Sequence, residues 1–169
     1  MSTHRPNDSS APMGPATTLF VREGDRLVEA PAEDVALARA YPRWPDKGAV
    51  AGGRRLTLLC AERPYAAGET VHVIHAVEYV GTGHTAYVMG PKPVVGEWVD
   101  GSLATAPAPA PSGGDPLVPR DYDGLTLPSP IVDIHYEITT YRFVRPGTHD
   151  IVWRLGPDLQ SNVLRVQVR

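Results

Sequence analysis

The stretch ETVHVIHAVEYV, residues 69–80, sets the structural period of this chain. Val71, Val73, His75, Val77 and Tyr79 alternate with Thr70, His72, Ile74, Ala76 and Glu78, so the two sets point to opposite faces of a β-strand. Gly81-Thr82-Gly83 supplies the turn that ends it. Working outward, the same period predicts strands over 54–61 (RRLTLLCA), 84–89, 93–99, 132–144, 149–155 and 162–168. Gly90-Pro91-Lys92 and Arg145-Pro146-Gly147 mark two of the turns between them. Seven strands at this turn spacing predict an all-β fold, a seven-stranded antiparallel sandwich.

Composition agrees. Of 169 residues, 16 are Gly and 18 are Pro, which disfavours long helices and suits strands joined by many turns. Hydrophobic residues make up 42%, enough for one real core. Sixteen Lys and Arg against 19 Asp and Glu give a formal charge of -3, which argues against nucleic acid as a partner. No apolar run is long enough to span a membrane, and the first residues lack the apolar core of a secretory signal. The single cysteine, Cys60, sits in the apolar run LTLLC, so it reads as a buried inert thiol, and a cytoplasmic location is expected.

The chain divides into three parts. Residues 1–17 are rich in Pro, Ser and Thr and are expected to form a disordered tail. Residues 18–53 are expected to form an appendage. In it a hairpin places Leu19 and Val21 before the turn Glu23-Gly24-Asp25 and Leu27 after it. A short helix follows, with Pro31 early, Glu33 and Asp34 in its first turn and Arg39 near its end. Pro42 and Pro45 stop it, and Val35, Ala38 and Tyr41 share the face that would dock on the core. Residues 54–169 form the sandwich, interrupted by a long Pro/Ala/Gly-rich loop at 101–130.

The ending PGTHDIVWRLG…SNVLRVQV resembles the closing strand pair of immunoglobulin-like and fibronectin type III-like sandwiches, and PYAAGETVHVIHAVEYVG resembles their second strand. In that architecture a tyrosine two residues after the turn glycine commonly fixes the corner of the penultimate strand. His149 holds the corresponding position, followed at spacing two by Ile151, Trp153 and Leu155. The likeness covers residues 54–169 and is architectural. The Cys…Trp…Cys pattern of true immunoglobulin domains is missing, and such sandwiches host many unrelated functions.

Enzyme signatures are scarce: phosphate-binding glycine loops, GxSxG and HExxH are all missing. His75 lies on the apolar face of its strand and reads as a hydrogen-bonded core histidine. His72 and His75 project to opposite faces, so their spacing makes no metal pair. The candidate constellation is DIHYE, in which Asp133, His135 and Glu137 alternate with Val132, Ile134, Tyr136 and Ile138. The three polar residues are then expected on the solvent face, with successive Cα atoms about 6.5–7 Å apart. Pairing with the second strand would add His72 and Glu78 to that face. A carboxylate beside an imidazole suits a general base, which makes His135, Asp133 and Glu137 the catalytic candidates. His72, His135, Asp133 and Glu137 are the candidate ligands for a divalent metal. A plain solvated strand face is the competing reading.

Within 101–130 the APAPAP run is a stiff spacer, whereas Leu117, Val118, Tyr122, Leu125 and Leu127 are too apolar for a spacer and would pack back across a sheet edge. An ordered lid and a disordered insertion both remain open. As a lid it would close a cleft with Trp98 and Tyr122, the candidate ligand-binding residues, in its walls. The expected function is a binding or accessory module that recognises a protein partner or small ligand through a sheet face, an edge strand or the 101–130 loop. The rivals are a small tailoring or isomerising enzyme, metal-assisted at the His/carboxylate cluster, and a structural subunit of a homo-oligomer.

Overall fold

A computed structural model of the chain describes residues 11–14, 18–88, 92–110, 112, 114–118 and 124–169. Most of the expected tail, Met89 with the Gly90-Pro91 turn, and Tyr122 lie outside these residues. The described elements are β1 (Phe20–Glu23), β2 (Arg26–Glu29), α1 (Ala32–Arg39), β3 (Arg54–Leu59), β4 (Thr70–Tyr79), β5 (Thr85–Tyr87), β6 (Glu97–Val99), β7 (Ser102–Leu103), β8 (Thr126–Pro128), β9 (Ile131–Ile134), β10 (Glu137–Arg142), β11 (Gly147–Trp153) and β12 (Leu164–Val168). They form a six-stranded sheet ordered β2-β1-β10-β4-β3, with β9 also on β4, a four-stranded sheet ordered β12-β11-β6-β7, and the small pair β5-β8.

The two larger sheets face each other across one core. Val71, Val73, Val77 and Tyr79 of β4 meet Ile151, Trp153, Val166 and Val168 of the four-stranded sheet. The other face of β4 is covered as well. There Ile74 and Ala76 pack with Val132, Ile134 and Ile138 beneath Leu19, Val21, Ala38 and Tyr41 of the hairpin and helix. The helix α1 therefore forms a third layer, whereas β1 and β2 extend the six-stranded sheet, β1 as a parallel neighbour of β10. That arrangement goes beyond the simple seven-stranded plan, in which the hairpin and helix are an appendage.

The expected strand over 132–144 is two strands. Ile134 pairs with Ala76 and Thr139 with Val73, so the four residues between them oppose only Ile74 and His75. This wide bulge frees Glu137 to turn outward to Arg22, at 2.8 Å.

Three sheet edges are closed by local devices. Asn162 bonds the outer edge of β3 with its side chain, accepting from the Leu58 N–H at 2.8 Å and donating to the Leu58 carbonyl at 3.1 Å. Tyr65 lies beside the end of β12, accepting from Arg169 N–H and donating to the Gln167 carbonyl. Pro12 and Gly14 bond both backbone groups of Val132 on β9. That last contact places Ala11–Gly14, part of the stretch expected to be disordered, against the sheet, with Ala11 buried in the helix-side core.

Candidate functional site

The expected His/carboxylate face is not on the surface. Asp133 and His135 are 4% and 5% exposed and lie on the side of the sheet that faces the sandwich interior. The expectation of one wet face fails because both faces of this sheet are covered, which buries Asp133 and His135 with the apolar residues. His72 and Glu78 lie on the opposite, helix-covered face. His72 Nδ1 meets Asp34 Oδ2 at 2.6 Å, and Glu78 accepts from Tyr41 at 3.3 Å beside Arg55 at 3.4 Å. The five residues expected to share one face are thus divided between two layers and the Arg22 contact. Among the described residues, no three His, Cys, Asp or Glu side chains converge to hold a metal ion.

Instead the sandwich interior holds a buried polar cluster. His75 donates through Nε2 to Glu97, and the Tyr141 hydroxyl donates to the other Glu97 oxygen. Burial pushes the Glu97 acid up, but the His75 ring and these two hydrogen bonds outweigh it and hold it below the usual carboxylate range. His135 lies beside His75, and Trp153 meets both rings edge-on at 4.9 and 5.3 Å. Burial first, then repulsion from His75 and Lys92, holds His135 well below its ordinary value, so its ring is neutral. Asp133 pairs with the buried Lys92 ammonium, and burial still raises its acid above normal. His75 and Glu97 are fully buried and His135 nearly so, while Tyr141 is half-buried.

His149 occupies the corner position: its Nδ1 bonds Asp100 at 2.6 Å and its Nε2 the Arg145 carbonyl at 2.8 Å. Trp98 lines a shallow groove of about 330 Å³ with Leu103, Pro107 and Pro109, the Arg154 guanidinium lying 5.5 Å from its ring centre. The proposed partner wall, Tyr122, is outside the described residues.

A recess of about 250 Å³ does lie beneath the 101–130 loop, and it is built from residues that carried no motif. Arg54 opens β3 and Tyr79 closes β4, and the two are cross-strand partners at one end of the sheet. His84 enters from the turn before β5, held by mutual hydrogen bonds of its backbone with Ser129 at 2.9 Å. Its ring rests on Gly53, whose φ of +73° favours glycine and where any Cβ would strike the imidazole. The roof is residues 114–118. Leu117, 3% exposed, anchors it in the core, and Asp115 ties it to Arg54 at 2.5 Å while capping its own turn through the Leu117 N–H at 2.9 Å.

Burial, reinforced by Asp133 and Asp115, pushes the Tyr79 hydroxyl up, so it stays a donor at neutral pH. The recess thus offers a phenol donor, an imidazole and the Thr85 hydroxyl around a neutralised Arg54–Asp115 pair. In sequence its only signal was Leu117, which marked the loop as packing back. Arg54 and Asp115 lie far along the chain from Tyr79 and His84, and the four share no motif spacing.

No protein-family model, curated protein or solved structure matches the chain. No helix among the described residues is long and apolar enough to cross a membrane.

Proposed function

We propose that this chain is a non-catalytic binding module, an immunoglobulin-like sandwich that takes a small polar ligand in the recess between the 114–118 loop and the end of the β3–β4 pair. The strand order supports the architectural part. Strands β3, β4 and β10 take the places of A, B and E in one sheet, and β6, β11 and β12 those of C, F and G in the other. Loops at the end of such a sandwich are where ligands are met.

The observation that carries the reading is the docked roof: Leu117 and the Asp115–Arg54 pair fix a loop over hydrogen-bonding groups that face a cavity. Recognition of a protein by strand addition has less support, because Asn162, Tyr65 and Pro12–Gly14 occupy three of the edges it would use. The enzyme reading has less still, since Asp133 and His135 are buried and Glu137 pairs with Arg22. Cys60 fits a reducing compartment: burial pushes its thiol up to about 11.

The test is a titration of isotope-labelled protein with a library of small polar metabolites. Binders should move the amides of Gly52, Thr85 and Val118, and Tyr79→Phe should weaken them about tenfold, the value of one hydrogen bond of about 1.4 kcal/mol. Binders that move only β2 or β7 amides would transfer the function to the sheet edges.

A further inference from the structure

A second cavity lies under α1 at the β9 edge of the six-stranded sheet, and it differs from the loop recess in chemistry. Its volume is about 140 Å³, and Leu19, Val35, Ala38, Val88, Val132 and Ile134 give it an apolar wall. It exists because small residues meet there: Ala38 is the helix residue turned to the sheet, and Gly14 passes so close to Val132 that an added Cβ would lie 3.0 Å from its carbonyl. The pocket is partly open on one side, and its apolar part has room for a benzene-sized body. A bilayer lipid or long fatty acid exceeds this space.

Two charged residues reach the lining, Arg39 and Asp133. They are not equivalent. The Asp133 carboxyl is engaged by Lys92. Arg39, in the last turn of α1, is exposed and makes no ion pair among the described residues. A guanidinium is always charged and presents a planar fork that matches a carboxylate. An apolar pocket with a guanidinium at its wall that makes no ion pair among the described residues has the complement of a small amphiphilic anion.

We infer that the cavity under α1 binds a small monocarboxylate whose benzene-sized apolar body fills the chamber between Val35, Ala38, Val132 and Ile134 while its carboxylate pairs with Arg39. The inference is independent of the loop recess and stands if that reading fails. The occupant is defined by size and charge: an aromatic or branched short-chain acid, one negative charge, no long tail. Apolar contact supplies affinity to acid and neutral analogue alike, and the guanidinium supplies the preference between them.

The experiment uses the full chain with benzoate and its neutral isostere benzamide, followed by calorimetry and by amide shifts. Benzoate should bind at least tenfold more tightly than benzamide, with shifts at Leu19, Ala38 and Val132. Arg39→Gln should remove that preference and leave benzamide binding unchanged, while Arg39→Lys should keep part of it. Arg39 is exposed, and an unchanged melting temperature in both variants shows that the fold is intact. Ala38→Leu, which fills the chamber, should abolish binding of both compounds. Equal binding of benzoate and benzamide, benzoate shifts confined to Thr85 and Gly52, a preference that survives Arg39→Gln, or no binding of either compound would each overturn the assignment.

Discussion

The rings of His75 on β4 and His135 in the bulge between β9 and β10 stand 6.0 Å apart and 17° from parallel, and they divide the labour of being buried unequally. His75 donates a hydrogen bond to Glu97, whereas His135 meets no partner at either nitrogen among the described residues.

The neutral His135 makes stability depend on pH on the acid side. Its folded-state value lies well below the unfolded value of about 6.5, so below that pH the unfolded chain takes up a proton that the folded chain refuses. Its contribution is full above about pH 6.5 and is lost as pH falls toward the folded value. Urea unfolding at pH 7.5, 6 and 5 should show this decline, and His135→Phe should flatten it. An unchanged slope in that variant would assign the acid sensitivity elsewhere.

Glu97 holds two donors in the core. Glu97→Gln removes the charge facing His75 and should cost roughly 3–5 kcal/mol, the range for breaking a buried pair. Tyr141→Phe removes one hydrogen bond and should cost about 1–2 kcal/mol. Denaturant midpoints rank the two, and a larger loss for Tyr141→Phe would mean that the phenol, not the imidazole, is the main partner.

Trp153 is 1% exposed, packs on both histidines and donates to the Val95 carbonyl at 3.0 Å. Truncation to Ala should cost about 3–5 kcal/mol. A loss under about 1 kcal/mol, read from the same unfolding curves, would contradict a central role in the core.

His149 behaves in the opposite sense to His135. The hydrogen bond to Asp100, then that to the Arg145 carbonyl, raise it above 6.5, so its contribution is present below the unfolded value and is lost as pH rises through the folded one. Proton NMR titration should find it raised in the wild type and lowered in Asp100→Asn. Asn is the apt replacement, because position 100 has a φ of +49° that Asn tolerates. A titration unaffected by Asp100→Asn would leave the corner bond without electrostatic weight.

Deleting residues 1–10 should leave the melting temperature unchanged, whereas deleting 1–17 removes the Pro12 and Gly14 bonds to Val132 and the buried Ala11. A loss of about 1–2 kcal/mol, or roughly 2–8 °C for a chain of this size, is expected in the longer deletion. Equal melts for the two truncated chains would show that the β9 edge needs no cover.

Much of this fold is written locally. The alternation along β4 placed Val71, Val73, Val77 and Tyr79 in one core, and the phase of β11 buried Ile151 and Trp153 together, because period two is a property of the strand itself. The phase of residues 131–135 was equally legible, yet the face carrying Asp133 and His135 was assigned to water. What covers a sheet is decided by elements far along the chain: Lys92 for Asp133, the four-stranded sheet for His135, α1 for His72. The bulge after Ile134 was hidden because it appears only when two strands are counted against each other. The loop recess was less visible still, since His84, Arg54, Tyr79 and Asp115 meet only after three turns and a docked leucine bring them together.

Asn162 serves the β3 edge as a short piece of artificial backbone, one amide giving and taking as a neighbouring strand would. An amide side chain is also hydrolysable. Conversion of Asn162 to aspartate would replace the N–H that meets the Leu58 carbonyl with an oxygen, turning a donor–acceptor match into two facing lone pairs. The cover of this edge thus hangs on the chemistry of a single side-chain amide.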